Sequence, residues 1–451
     1  MEGLMIGVSG VRGVVGETFT PELASRFASA FSNFVGRRKV VVGRDSRPSG
    51  EMLKYAVISG LVAGGSNVVD VDICATPTIQ LAVEELEAGG GIAVTASHNP
   101  EEWNALKFIS SAGTFLNDAQ GRELLKLYKR GRIEYAGHRE LGQVSRDGDA
   151  GSRHVSRILK LDLVDPEKIA GGRYRVALDC CNGAGCAAGR ELLEALGCET
   201  VEVGCEPTGV FSRGPEPVAE NLSALRARVR EDKADAGFAF DPDADRMSLV
   251  CERGEALGEE RTVCLSSAFV LSKRKGPVCA NVSTTAALED IARSAGSKLY
   301  RSKVGEAHVV EKMKKTGCVV GGEGNGGVIL PSLHYGRDGL LAVALTLQFM
   351  AESGLPLSEL NERFPRYAMV KSRVGVEGID ARTMKEIMLR RFGDGTISYV
   401  DGVRVSWPGK WVHVRKSRTE PVVRVIVESS SPDDAASLAE EVSSLLWGVR
   451  S

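Results

Sequence analysis

Four short stretches hold the residue types that chemistry needs. In the segment 91–100 (GIAVTASHNP) an apolar run ends at Ser97, with His98 and Asn99 behind it and Pro100 stopping the strand from continuing. Ser97 is therefore expected on an exposed turn, beside groups that can hydrogen-bond an anion, and Lys107 can return to the same place. A serine hydroxyl is a weak nucleophile and needs a base or a metal. The segment 241–246 (DPDADR) offers the metal: Asp241, Asp243 and Asp245 alternate behind the apolar run AGFAF. Three carboxylates that close repel one another unless a cation offsets them, and oxygen-only ligation points to Mg2+ or Ca2+. An EF-hand is rejected, because Arg246 stands where its glycine must be and strands, not helices, are expected on either side. A phosphatase using Asp241 as nucleophile stays open at this point, although it leaves Arg246 without a task.

The third stretch, 321–327 (GGEGNGG), contains a G-x-G-x-x-G pattern, but the strand-like VIL follows it, so no helix N-terminus is offered to a pyrophosphate. Glu323 and Asn325, two apart on a glycine loop, instead suit the paired hydroxyls of a sugar, with Arg337-Asp338-Gly339 placed to order the loop. The fourth stretch, 415–421 (RKSRTEP), brings Arg415, Ser417 and Thr419 together, with Arg424 beyond. Guanidiniums among hydroxyls form a compact anion site that matches a phosphate. A nucleophile, a metal, a polyol loop and a phosphate clamp together describe phosphoryl transfer on a phosphorylated sugar.

Composition limits the alternatives. Lys+Arg 57 against Asp+Glu 59 gives a net charge of −2, so no bulk field attracts nucleic acid or membrane, and any anion must meet a local cluster. Aromatics at 6% leave few platforms for stacking bases. Glycine, at 52 residues against 16 prolines, is in excess in the manner of tight turns near a ligand, not of a linker. No long apolar run or signal-peptide core is visible, and a cytoplasmic protein is expected. The ten cysteines form no C-x-x-C pair and have no histidine at ligand spacing, so buried reduced thiols are expected and a zinc cluster is not. Oligomeric state, monomer or homo-oligomer, is not written in any heptad or exposed apolar helix.

The elements that must position these loops follow from hydropathy. Strands at 39–43, 67–73 and 91–96 alternate with helices at 51–64 and 77–86, and residues 117–160 read as charged and mostly helical. A second βα run starts at Arg173 and ends in AGFAF, and a third covers PVCANV to GGVIL. That alternation is the mark of α/β units with largely parallel sheets. From about Tyr367, alternating apolar and polar residues predict a small antiparallel sheet with helices near 382–392 and 433–446. The expected division is 1–150, 151–252, 253–366 and 367–451: three similar α/β domains and a C-terminal α+β domain. No repeat is visible residue by residue.

TASHNP, DPDADR, GEGNGG and RKSRTEP, in this order, resemble the α-D-phosphohexomutases, and GVSGVRG (7–13) and VGRDSRPSG (42–50) extend the likeness to nearly the whole chain. The resemblance implies four domains around a central cleft and makes Ser97 the phosphoserine. It also implies one Mg2+ held by Ser97, Asp241, Asp243 and Asp245, with Arg246, His98 and Lys107 serving the phosphoryl group and its protons. Arg12, Glu323, Asn325, Arg415, Ser417, Thr419 and Arg424 would bind substrate. The implied reaction interconverts hexose 6-phosphate and hexose 1-phosphate through a 1,6-bisphosphate, which also acts as activator. Two departures stand out. Many relatives carry Ser-Gly-His where this chain has Asn325, Gly326 and Gly327, and Arg418 stands where glycine or asparagine is common. The Gly-Asn-Gly-Gly loop is similar to archaeal-type phosphoglucosamine mutases, so glucosamine phosphate is the expected substrate, with a dual phosphomannomutase/phosphoglucomutase as the alternative.

Overall fold

The computed structural model describes residues 4–7, 10–130, 133–375, 380–417 and 422–447. Among them lie four sheets, of seven, four, four and five strands. The first is built outward from Val40–Arg44, a run of valines with both faces buried, as a parallel strand covered by helices requires. Its neighbours are Val68–Ile73 on one side and Gly90–Val94 on the other, both parallel, and Trp103–Ser110 then returns antiparallel to Gly90–Val94. Calling these strands first to fourth in chain order, the spatial order is fourth, third, first, second.

The second and third sheets repeat that order. In the second, Met247–Cys251 lies antiparallel to Ala236–Phe240, which is parallel to Arg175–Asp179, which is parallel to Glu199–Val203. In the third, Gly327–Ile329 is antiparallel to Val320–Glu323, which is parallel to Val278–Asn281, which is parallel to Leu299–Ser302. The similarity read from alternation alone is thus a common topology. Its consequence is specific: the loops 95–102, 241–246 and 324–326 all join the third strand of their unit to the fourth. The three chemical segments occupy one position in three copies of one motif.

The proposed boundaries at 150, 252 and 366 fall between sheets, but the second and third sheets share one apolar core. Helix Gly339–Ser353 runs through it, buried on nearly every side. Asp338 caps its N-terminus by accepting from the Leu341 amide, and Gly354 ends it in the left-handed region at φ 64°. Neither this helix nor Glu260–Lys273 shows in the sequence: one is apolar on nearly every face and the other buries polar residues among apolar ones, so neither has a clear 3.6-residue periodicity. The stretch 117–160 is less helical than expected. After the helix Asp118–Arg130, the exposed strand Val144–Arg146 joins the edge of the first sheet, and Ala150–Leu159 packs into the second core. A three-residue strand with every side chain in water leaves no pattern to read.

The C-terminal sheet is antiparallel throughout, in the order Ala368–Gly375, Val422–Ser429, Lys410–Lys416, Val403–Trp407, Thr396–Ser398. Helices Ala381–Phe392 and Pro432–Trp447 cover one core with it. It docks on the third unit through buried polar contacts. Ser283 Oγ lies 2.9 Å from His413 Nδ1, Glu428 accepts from the Ala286 amide, and Arg404 donates to the Val282 carbonyl. Burial drives the His413 imidazole down to about 4, against weaker support from Asp401. The unfolded chain, with an ordinary histidine, binds that proton first, so this group costs stability as pH falls from about 6.5 towards 4. The thermal midpoint is expected to drop across that window, and to drop less in His413→Asn; an equal drop in both would remove His413 as the cause.

Candidate active site

Ser97 sits on the first of the three equivalent hairpins with φ 50°, a left-handed backbone that a non-glycine residue adopts only under constraint. The constraint is Arg47, which is fully buried. Its guanidinium pairs with Asp45 and donates to the carbonyls of Ser97 at 2.6 Å, Asn99 at 2.7 Å and Pro100 at 2.6 Å. Asp45 also accepts from the Thr95 hydroxyl, which in turn accepts from the Ser97 amide. The serine loop is thus moulded around one arginine.

The second hairpin meets it. Ser97 Oγ donates to Asp241 Oδ2 at 2.8 Å and lies 3.3 Å from His98 Nδ1. Asp241, Asp243 and Asp245 are buried, with ligand oxygens all within 4.8 Å of one another, the one such acidic or thiol cluster among the described residues. Asp241 has both oxygens committed to the protein, Oδ2 to Ser97, and Asp243 and Asp245 have one each. Asp241 Oδ1 accepts from the Arg246 amide at 3.1 Å; Asp243 Oδ2 from Lys107 Nζ and Thr76 Oγ1, both at 2.6 Å; Asp245 Oδ2 from Arg337 at 2.5 Å. Asp243 Oδ1 and Asp245 Oδ1 are buried with no hydrogen-bond donor. Unmet buried carboxylate oxygens are costly, and a divalent cation is the partner their chemistry fits.

The electrostatics follow from the crowding. Burial, then Asp245 and Asp243, push the Asp241 carboxyl well above its usual range. Burial pushes Asp243 up too, but the Lys107 ammonium and its hydrogen bond outweigh that and hold it far down. Arg246, burial, Arg12 and Lys107 together press the His98 imidazole well below its usual value, leaving it neutral and able to accept a proton. Arg246 spans Glu216 at 3.4 Å, Asp245 at 3.6 Å and Asp241 at 3.9 Å. Arg12 donates to Asn99 Oδ1, and burial with Arg246 nearby lowers its guanidinium to about 10. Ser97, His98, Lys107, Arg12, Arg246 and the three aspartates are therefore brought together.

The third hairpin packs on the second: the Met247 amide donates to the Gly326 carbonyl at 3.0 Å, and Gly326, at φ 93°, has no room for a Cβ against Met247. Glu323 is buried, its carboxylate accepting from Asn281 at 2.7 Å, the Gly305 amide at 2.8 Å and Arg337 at 2.9 Å. Asn325 is half-buried and accepts from the Gly327 amide at 3.3 Å. In the C-terminal sheet Arg415 and Arg424 face each other across adjacent strands, and Arg373 is in register on the next, a row of three guanidiniums. Like charges directly opposed on a sheet repel one another. Ser417 ends that strand pair, its amide bonded to the Val422 carbonyl. Thr419, and the departure at Arg418, lie outside the described residues.

Nothing in the sequence assigns Arg47, Thr76 or Arg373 to the site, and Arg337 is expected there only to order the sugar loop. Arg47 lies inside VGRDSRPSG and Arg337 two residues before a helix, so both were in sight, but only the fold shows what they hold.

The chain matches the models for domains I, II and III of phosphoglucomutase/phosphomannomutase, each described as alpha/beta/alpha, over residues 3–133, 152–254 and 259–367, and the model of the C-terminal domain over 395–445. It belongs to that family. Its enzymatic class is accordingly that of the phosphohexomutases, isomerases that work by intramolecular phosphotransfer, and the phosphatase alternative falls. A Methanopyrus kandleri protein named "Probable phosphoglucosamine mutase" is 39% identical, with 97% of each chain covered. A Thermococcus kodakarensis "Phosphoglucomutase/phosphomannomutase" is 37% identical with the same coverage. The crystal structure of a phosphoglucomutase/phosphomannomutase family protein from Burkholderia thailandensis superposes with a TM-score of 0.83 at 28% identity, covering 99% of this chain and 98% of that one.

Replacing Arg47 with Met strands the buried Asp45 carboxylate and frees three carbonyls, a loss on the order of 3–5 kcal/mol for a broken buried pair. Amide hydrogen exchange in segment 95–102 is expected to quicken by at least ~100-fold. Unchanged exchange there would take the serine loop out of Arg47's control.

Proposed function

We propose that this phosphohexomutase interconverts glucosamine 6-phosphate and glucosamine 1-phosphate through a phosphoserine at Ser97 and a 1,6-bisphosphate. The observation that carries the reading is the 2.8 Å bond between Ser97 Oγ and a buried carboxylate of the three-aspartate cluster, made between two hairpins of different domains. A nucleophile held there is beside the one acidic cluster among the described residues where a cation fits.

In the forward half-reaction the P–Oγ bond of phosphoserine 97 breaks and a P–O bond to the free sugar hydroxyl forms. The hydroxyl proton leaves to a neighbouring base, with His98 and Lys107 the candidates at hand, and Ser97 Oγ is left to regain a proton. Arg246 and Lys107 offset charge on the moving phosphoryl oxygens. Mg2+, held by Asp241, Asp243, Asp245 and a Ser97 oxygen, would supply further positive charge at that point. The other phosphate rests on Arg415, Arg424, Ser417 and Thr419, with Arg373 in the same row, while Glu323 and Asn325 meet sugar hydroxyls. In the second half-reaction the bisphosphate presents its other end, and Ser97 takes back that phosphoryl. Added hexose 1,6-bisphosphate would then act as activator by rephosphorylating Ser97.

The likeness to the M. kandleri protein supports the aminosugar; the 37% identity to the T. kodakarensis protein favours glucose and mannose phosphates as the second reading. Ten unbridged thiols, nine of them buried, suit a reducing, cytoplasmic setting. Among the described residues no helix is long and apolar enough to cross a membrane.

Ser97→Ala is expected to abolish nearly all isomerisation, and the intact mass of a fraction of the wild-type protein to exceed the sequence mass by one phosphate that the variant lacks. Full activity in Ser97→Ala would overturn the phosphoserine. A coupled assay with glucosamine, glucose and mannose phosphates should give the highest kcat/KM with glucosamine; preference for either neutral sugar would move the assignment to the second reading.

A further inference from the structure

Arg337 is a buried cation shared by three carboxylates on three elements. Its Nη2 donates to Asp245 Oδ2 in the metal hairpin at 2.5 Å, its Nη1 to Glu323 Oε2 in the sugar hairpin at 2.9 Å, and its Nε to Glu306 Oε2 at 3.0 Å. Glu306 opens helix Glu306–Thr316, and its other oxygen accepts from Gln80 Nε2 at 3.1 Å. Gln80 lies on helix Thr76–Glu85, whose first residue bonds Asp243 with both hydroxyl and amide. The guanidinium therefore joins the second and third units directly, and Glu306 carries the connection on to Gln80 in the first.

Its backbone is fixed on both sides. The Asp338 amide donates to the Val328 carbonyl of the sugar hairpin at 2.9 Å, and the Gly339 amide to the Ala244 carbonyl of the metal hairpin at 3.1 Å. Asp338 is held in turn by His154 at 2.8 Å and His334 at 3.1 Å. On its way inward the side chain passes over Gly327. A Cβ on that glycine would stand 2.3 Å from Arg337 Cδ and 2.8 Å from Cγ, closer than carbon atoms approach. Gly327 has an ordinary negative φ, so its backbone does not demand glycine. The space does.

We propose that Arg337 is a positioning residue that sets the spacing between the metal-binding carboxylates and the sugar loop, and that position 327 is glycine because the arginine fills it. The proposal rests on the assignment of the two hairpins to metal and sugar. By occupying Asp245 Oδ2 the guanidinium leaves Oδ1 as that carboxylate's open oxygen, and by occupying Glu323 Oε2 it fixes the rotamer of the sugar-loop acid. Lysine keeps the charge but not the planar fork that reaches three carboxylates. Alanine at 327 keeps every charge and displaces the fork.

The test uses the full-length chain as Arg337→Lys and Gly327→Ala. Mn2+ affinity is read by electron paramagnetic resonance, kcat and KM by the coupled assay, and folding by thermal melting. Partners that orient metal ligands are typically worth about 10–100-fold, so both variants should bind Mn2+ ten- to 100-fold more weakly and lose kcat by a similar factor, KM rising less. A residue that merely filled the core would lower the melting temperature and leave Mn2+ affinity alone. Two folded variants within about twofold of wild type in Mn2+ affinity and kcat would overturn the proposal. If Arg337→Lys does not fold, Gly327→Ala decides alone. If both variants lose Mn2+ affinity while wild type isomerises no hexose phosphate, Arg337 keeps its role and the mutase reading falls.

Discussion

Everything at this site depends on how three buried aspartates are kept from repelling one another apart. At 4 Å, like unit charges in a protein of effective dielectric about 20 oppose each other by roughly 4 kcal/mol. The fold answers by tying one oxygen of each carboxylate to the scaffold: to the Arg246 amide, to Lys107 and Thr76, and to Arg337. The remaining oxygens of Asp243 and Asp245 have no donor, and that of Asp241 has only Ser97. The protein thus leaves carboxylate oxygens without a donor beside a serine, and a divalent cation is the partner that such oxygens fit.

The donors come from different units, which ties chemistry to architecture. A hairpin joining a parallel third strand to an antiparallel fourth occurs three times, and each copy carries one task. Ser97, the three aspartates and Glu323 need not be designed as a pocket; they are brought together by packing three similar loops. Lys107 belongs to the fourth strand of the first unit, opposite Ala93, so the strand that completes one hairpin also supplies the cation for the next. The shared core of the second and third sheets then fixes the metal hairpin against the sugar hairpin.

Much of this was legible in the sequence because it is local. Ser97 before Pro100, and Asp241, Asp243 and Asp245 behind a β run, declare themselves within ten residues. Lys107 was legible as well, since a strand leaving a turn must come back. Arg47 was not, nor was the reach of Arg337 beyond the sugar loop to Asp245, because those partners lie 50 or more residues away and their importance is a matter of which carbonyls and carboxylates surround them. Arg373 is one residue of an alternating strand until register sets it beside Arg424. The buried helix Gly339–Ser353 hid for the opposite reason, having too much hydrophobicity to show a face. The glycine surplus is partly explained by space: Gly326 and Gly327 are glycine because Met247 and Arg337 lie where their side chains would be.

The most direct test of the account is calorimetric titration of Mg2+ into the dephosphorylated full-length protein and into Asp243→Asn and Asp245→Asn. One site per chain in the wild type, lost or weakened by at least about tenfold in each variant, is the predicted result. No binding to the wild type, or equal affinity in all three proteins, would contradict it.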